Sequence, residues 1–328
     1  MIKYIINARP CGPFIKAVLN NNQQEEEYFC SRTLEWSLNP IIEDKVFDEI
    51  IISYDGKVCK KVIERLSEKS SIPIIAIPTS RYFNRTVDDL LFGKDIENLG
   101  GIDLKHYLDK DDKIFIAHMD AFFDKSIYQS MISFDKPMVF GTHNYVIFQI
   151  ERQYYQWIAD HMILGSVEFL RDHNIRFSWN KFTDEKKEYF YSLANTKNIY
   201  ISGTHLSQVQ NLDGLQEGSL KLAILQYLQR IDLTELIDVG DSNTITKKAV
   251  HLKAFFNPDP KSGEKFIANN SIIQAVIFGR IQQQKDIIQK HVEHVKIQTK
   301  LLNLYNSYFG QKILNDQEKE NFHLLLQP

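Results

Sequence analysis

Cysteine is scarce in this sequence: 328 residues hold three, Cys11, Cys30 and Cys59, with no Cys-x-x-Cys spacing. An odd and scattered set excludes a disulfide framework and suits free thiols in a reducing compartment. Long apolar runs are lacking as well, and no stretch reaches the roughly 18 residues a membrane span needs. The opening "MIKYIINARPCGP" breaks at Arg9 and Pro10 and has no signal-peptide core, so a cytoplasmic location is expected. Neither charge dominates: 39 Lys and Arg stand against 42 Asp and Glu, a net of -3. Without a basic excess, nucleic acid is not the expected partner, whereas a small polyanion needs only a local site. At 43% hydrophobic and 25% charged the chain has enough apolar surface for a core, which rules out wholesale disorder. No internal repeat or low-complexity tract is present.

What is there is an alternation of short apolar runs with amphipathic stretches. "FIKAVL" (residues 14–19) reads as a strand, and the apolar positions Phe29, Leu34 and Leu38 put a helix over Glu25–Leu38. "EIIISY" is a β-branched strand that ends at the turn signal Asp55-Gly56. "KVCKKVIERLSEK" is helical, and "IPIIAIP", "KIFIAHM" and "KPMVFGT" are further strands. This order predicts an α/β protein with a mostly parallel sheet flanked by helices. Ligands of such sheets bind beyond the carboxyl ends of the strands, and those ends carry Asn20, Asp55 and Asp120. The aromatic-rich segment 144–172 reads as mixed and helical. Thr183 is an expected N-cap for a helix that opens with Asp184 and Glu185. "NIYISGTH" reads as a strand ending at His205.

The first two thirds of the chain resemble the family 2 glycosyltransferases. "AVLNN" is followed by Leu34-Glu35-Trp36-Ser37-Leu38-Asn39-Pro40, then by Ser53-Tyr54-Asp55-Gly56-Lys57 and "IFIAHMDAFF". The resemblance implies a GT-A-like domain over 1–215 with a helical extension over 216–328. It implies an inverting transfer from a nucleotide-diphosphate sugar, a UDP-sugar in the first place, to a saccharide or surface-glycan precursor. Asn20, Asp55 and His118 would bind the nucleotide donor. Asp120 and His205 would hold Mn²⁺ or Mg²⁺ against the diphosphate, and Asp184 or Glu185 would be the general base. Tyr54 and His118 stand where the family has acids, so two of its carboxylates are absent.

Two other readings share this sheet. A nucleotidyltransferase wants a glycine-rich, basic phosphate loop after the first strand, where "NNNQQEEE" is acidic and free of glycine. A non-catalytic module would bind through the C-terminal helices instead. Those helices read as one long element from Ser271 to Tyr305, striped by Ile273, Ile277, Ile281, Ile288, Val292, Val295 and Leu302. Such a stripe packs on its own domain or pairs with a second copy. Its polar face is only mildly basic, which limits any membrane contact to the periphery.

Overall fold

The computed structural model describes residues 1–8, 22–54, 56–79, 83–93, 103–119, 121–123, 125–133, 136–177, 182–210, 212, 217–228, 237–238, 249–251, 272–290 and 313–327. In chain order the elements begin β1 (Ile2–Ala8), α1 (Gln23–Asp44), β2 (Glu49–Tyr54), α2 (Gly56–Lys69), β3 (Ile74–Pro78) and α3 (Phe83–Phe92). Next come β4 (Lys113–Ala117), β5 (Ala121–Phe123), α4 (Lys125–Ser133), β6 (Met138–Ile150), β7 (Gln153–Ser166), α5 (Val167–Asp172) and α6 (Asp184–Lys197). The last are β8 (Ile199–Ile201), β9 (Thr204–His205), α7 (Glu217–Tyr227), β10 (Ile237–Asp238), β11 (Ala249–His251), α8 (Ile281–Lys290) and α9 (Asp316–Leu326). The class is α/β as the sequence predicts, with a parallel-rich strand–helix–strand portion, flanking helices and a helical C-terminal part. Two compact units divide the chain.

The first unit comprises Met1–Ile6, Pro78–Ala117 and Met131–Asp241. Its strands run in the order β1-β4-β7-β6-β8-β9, with β10 paired to β6. β1 and β4 are parallel, Ile2 opposite Lys113 and Ile5 opposite Ile116. Tyr4, Ile5, Ile114, Phe115 and Ile116 are all buried, the composition of strands covered on both faces, and the Tyr4 and Phe115 rings stack at 5.6 Å. The first described strand is the opening run "IKYIINA", which the sequence reading does not name, and "FIKAVL", residues 14–19, lies outside the described residues.

Residues 144–172 are not mainly helical. They complete the long antiparallel hairpin of β6 and β7, with only α5 helical at the end. Register shifts between Phe140 and Thr142 and between His143 and Ile147 explain why the sequence concealed it. Each bulge resets the two-residue alternation by which a strand is recognised.

The second unit comprises Asn7–Ile77, His118–Ser130 and Ser242–Pro328. β2 and β3 are neighbours, and β5 pairs with β11 in a small antiparallel sheet. α1 runs six residues beyond the expected end at Leu38, through the buried Pro40, and closes at Lys45 in the left-handed region (φ 50°). Burial of Pro40 and Ile41 outweighs the local penalty of proline. The long C-terminal helix is interrupted. Residues 272–278 are helical, Gly279 has φ 68°, and α8 starts two residues later. A glycine in the left-handed region is the usual helix stop, so Ile273 and Ile277 do not share one straight stripe with Ile281.

α9 is fastened to α1 by one carboxylate. Glu318, 1% exposed, accepts from Arg32 at 2.7 and 2.9 Å and from the Trp36 indole at 3.2 Å. It also closes a capping box with Asn315. Burial alone would lower the Arg32 pKa, but Glu318 and then Glu35 hold it above its ordinary value.

Candidate functional site

The seven residues singled out from the sequence divide between the units. Asn20, Asp55, His118 and Asp120 belong to the second, and Asp184, Glu185 and His205 to the first. Asn20, Asp55 and Asp120 lie outside the described residues.

In the second unit, His118 follows β4 directly and is 8% exposed; Met119 beside it is 3% exposed. Both are buried, as are the four residues before them in β4, and the strand gives way to a turn at Met119. The turn is held from α1, where the buried Ser37 hydroxyl donates to the Met119 carbonyl. Ser37 is thus a neighbour that holds Met119, next to His118. Sequence reading passed it over, because a helical serine can satisfy its hydroxyl on the carbonyl four residues back, as Ser37 does on Thr33 at 3.1 Å.

The other strand end of this unit is the turn from β2 into α2. Ser53 is buried, and among the described residues its hydroxyl has no hydrogen-bond partner. Gly56 opens α2 with φ 84° and empty space on the side where a Cβ would project. Lys57, Lys60 and Lys61 lie exposed in the first two turns, and the first turn holds no acid. A helix N-terminus is partially positive and favours an anion there, and of these lysines Lys60 pairs with Glu64 at 3.7 Å.

In the first unit, Asp184 and Glu185 are exposed in the first turn of α6, capped by Thr183, whose hydroxyl accepts from the Lys186 amide at 3.3 Å. Lys186 reaches Glu217 at 2.7 Å, and Lys221 reaches it at 2.8 Å. Burial would raise the Glu217 pKa, but the two lysines outweigh it and hold the carboxyl below its ordinary value. His205 does not close a lone strand. It sits in β9, across a tight turn from β8 in which Ser202 (φ 46°) and Gly203 (φ 83°) are both left-handed. Its Nδ1 lies 2.6 Å from the Ser207 hydroxyl, and its ring meets Tyr200 edge-on at 5.1 Å. Among the described residues no three His, Cys, Asp or Glu side chains form a group able to hold a metal ion, and no helix is long and apolar enough to cross a membrane.

No protein-family model matches this chain, and no curated protein does. Solved structures do. HddC from Yersinia pseudotuberculosis is 15% identical with a TM-score of 0.33, over 52% of this chain and 80% of that one. The 4-diphosphocytidyl-2C-methyl-D-erythritol synthase of Anaerococcus prevotii is 15% identical with a TM-score of 0.37, over 70% and 96%. The inositol-1-phosphate CTP transferase of T. maritima is 9% identical with a TM-score of 0.30, over 68% and 96%. At such values the likeness carries no argument about what this chain does.

None of the three is named a glycosyltransferase. The glycosyltransferase resemblance finds no support among these structures and is withdrawn, together with the UDP-sugar donor, the inverting transfer and the surface-glycan acceptor that came with it. The physical reason lies in the motifs. Two of the expected acids are Tyr54 and His118, and His118 is buried, so the paired carboxylates on which that chemistry depends are absent from these strand ends.

Proposed function

We propose that the second unit binds a nucleoside triphosphate at the β2–α2 turn and that the chain is a nucleotidyl-transferring enzyme. The observation that carries this is the Gly56–Lys57 turn. A glycine with open space above it, a helix N-terminus and three nearby lysines meet the needs of a polyphosphate. The objection that "NNNQQEEE" lacks glycine and base loses its force, because both features follow the second strand instead of the first. In the reaction an acceptor phosphate oxygen attacks the α-phosphorus and pyrophosphate leaves. Lysines beside the triphosphate neutralise the charge that builds on the leaving group. Mg²⁺ needs few protein carboxylates when phosphates complete its shell, so Asp120 or Asp55 would hold it. Its chemistry there is to draw charge from the departing pyrophosphate.

The test is a thermal-shift panel of CTP, UTP, GTP, ATP and dTTP with and without Mg²⁺, on the wild type and on Lys57→Ala. One triphosphate is expected to raise Tm in the presence of Mg²⁺, with a smaller rise in the variant. That nucleotide should then release pyrophosphate with a phosphorylated acceptor. If no triphosphate moves Tm, the reading falls. A shift without pyrophosphate release for any acceptor would reduce it to binding alone.

A further inference from the structure

Two of the three cysteines meet. Cys30 on α1 and Cys59 on α2 are both buried thiols, 0% and 4% exposed, with their sulfurs 3.4 Å apart. Each lies on the apolar stripe of its own helix: Cys30 leads to Leu34 and Leu38, and Cys59 leads to Val62, Ile63 and Leu66. The pairing is therefore built into the packing of α1 on α2. An ion pair between Glu27 and Arg65, at 3.0 Å, ties the same two helices. A disulfide needs its sulfurs at about 2.05 Å, so rotation of two short side chains has little more than an ångström to close.

We infer that Cys30 and Cys59 form an oxidisable dithiol that a peroxide converts to a disulfide, locking α1 to α2. Cys59, the more exposed of the two, reacts first. Its sulfur takes a hydroxyl from hydrogen peroxide to become a sulfenic acid, and one water is released. The Cys30 sulfur then attacks the Cys59 sulfur. The S–S bond forms, the S–O bond breaks, and the departing hydroxyl leaves as a second water with the Cys30 proton. Two thiols lose two electrons in total, and one peroxide gains them. The link spans 29 positions of chain, which include β2 and the turn at Gly56. Cross-linking of that length restricts the unfolded chain, so the oxidised protein is the more thermostable form.

The experiment treats the reduced, folded full chain with graded hydrogen peroxide, alkylates it in denaturant and maps the thiols by peptide mass spectrometry. Cys11, which lies outside the described residues, serves as the internal reference. The expected result is a Cys30–Cys59 linked peptide pair lighter by two hydrogens, with Tm raised by several degrees and restored by dithiothreitol. Neither the linked pair nor the Tm rise should occur in Cys30→Ser or Cys30→Ala, whose folding is checked by circular dichroism. Three results would overturn the inference: both thiols still alkylated at a dose that oxidises Cys11, sulfinic acid at either position without a link, or a link to Cys11 or between chains. The outcome does not depend on nucleotide binding.

Discussion

At the residue scale, single buried polar groups decide how the segments of the second unit are held. Glu318 serves Arg32, the Trp36 indole and the Asn315 amide at once, with its side chain withdrawn from water. Glu318→Gln keeps the shape and removes the charge, leaving the Arg32 guanidinium half-compensated by Glu35. The cost of breaking a buried pair by removing one partner is about 3 kcal/mol. Urea denaturation of the variant should show a loss of that order. A loss no larger than that of an exposed control, such as Glu68→Gln, would mean the clasp contributes nothing. Some of these residues were legible in the sequence. The capping signal at Thr183 announced α6 correctly, because a cap acts on amides only three positions away. The tie from Ser37 to Met119 could not be placed in that way: its local acceptor is the Thr33 carbonyl, and Met119 lies 82 positions off.

At the element scale, the ends of helices and the bulges of strands carry the information. Gly279 ends helix 272–278, and a Cβ there would sit 3.2 Å from Asn321 Oδ1. Asn321 in turn donates to the Val276 carbonyl at 2.8 Å. Gly279→Ala is therefore expected to destabilise by about 1–2 kcal/mol, the cost of a side chain in the left-handed region. If the two helical stretches were able to fuse, alanine would stabilise instead by roughly 0.5–1 kcal/mol. Chemical denaturation gives the sign directly, and a gain would refute the break. The hairpin of β6 and β7 shows the opposite failure of local reading. Its residues are strand formers by type, yet two register shifts scramble the period, and the pairing emerges only when both strands are present.

At the scale of the whole molecule, buried carboxylates couple folding to pH. Burial would raise the Asp112 pKa, but the Asp109 amide and the cations beside it, Lys3 among them, hold it below the ordinary carboxylate range. Glu217 is lowered in the same sense by Lys186 and Lys221. For both, the unfolded chain binds protons at a higher pH than the folded one. Their stabilisation is therefore complete above the unfolded pKa, about 4, and is lost as pH falls through the lower folded values. The urea midpoint should be flat near neutrality from these groups and fall steeply below about pH 4. Asp112→Asn should lower the midpoint at neutral pH and flatten the acid limb. An unchanged acid limb would show that Asp112 carries no such linkage.

The sequence by itself determined the α/β class, because the alternation of apolar runs with amphipathic helices is a local, periodic property. It also showed that the thiols are few and that no membrane-length run exists. The tertiary structure alone decided what individual residues touch. It brought Cys30 to Cys59 and Ser37 to Met119, and it paired His205 with Ser207 and Tyr200. It also turned Gly56 and Lys57 from an ordinary turn signal into an open, cationic helix start. Contacts between residues far apart in the chain depend on packing that no local window contains, which is why the class was legible and the chemistry was not.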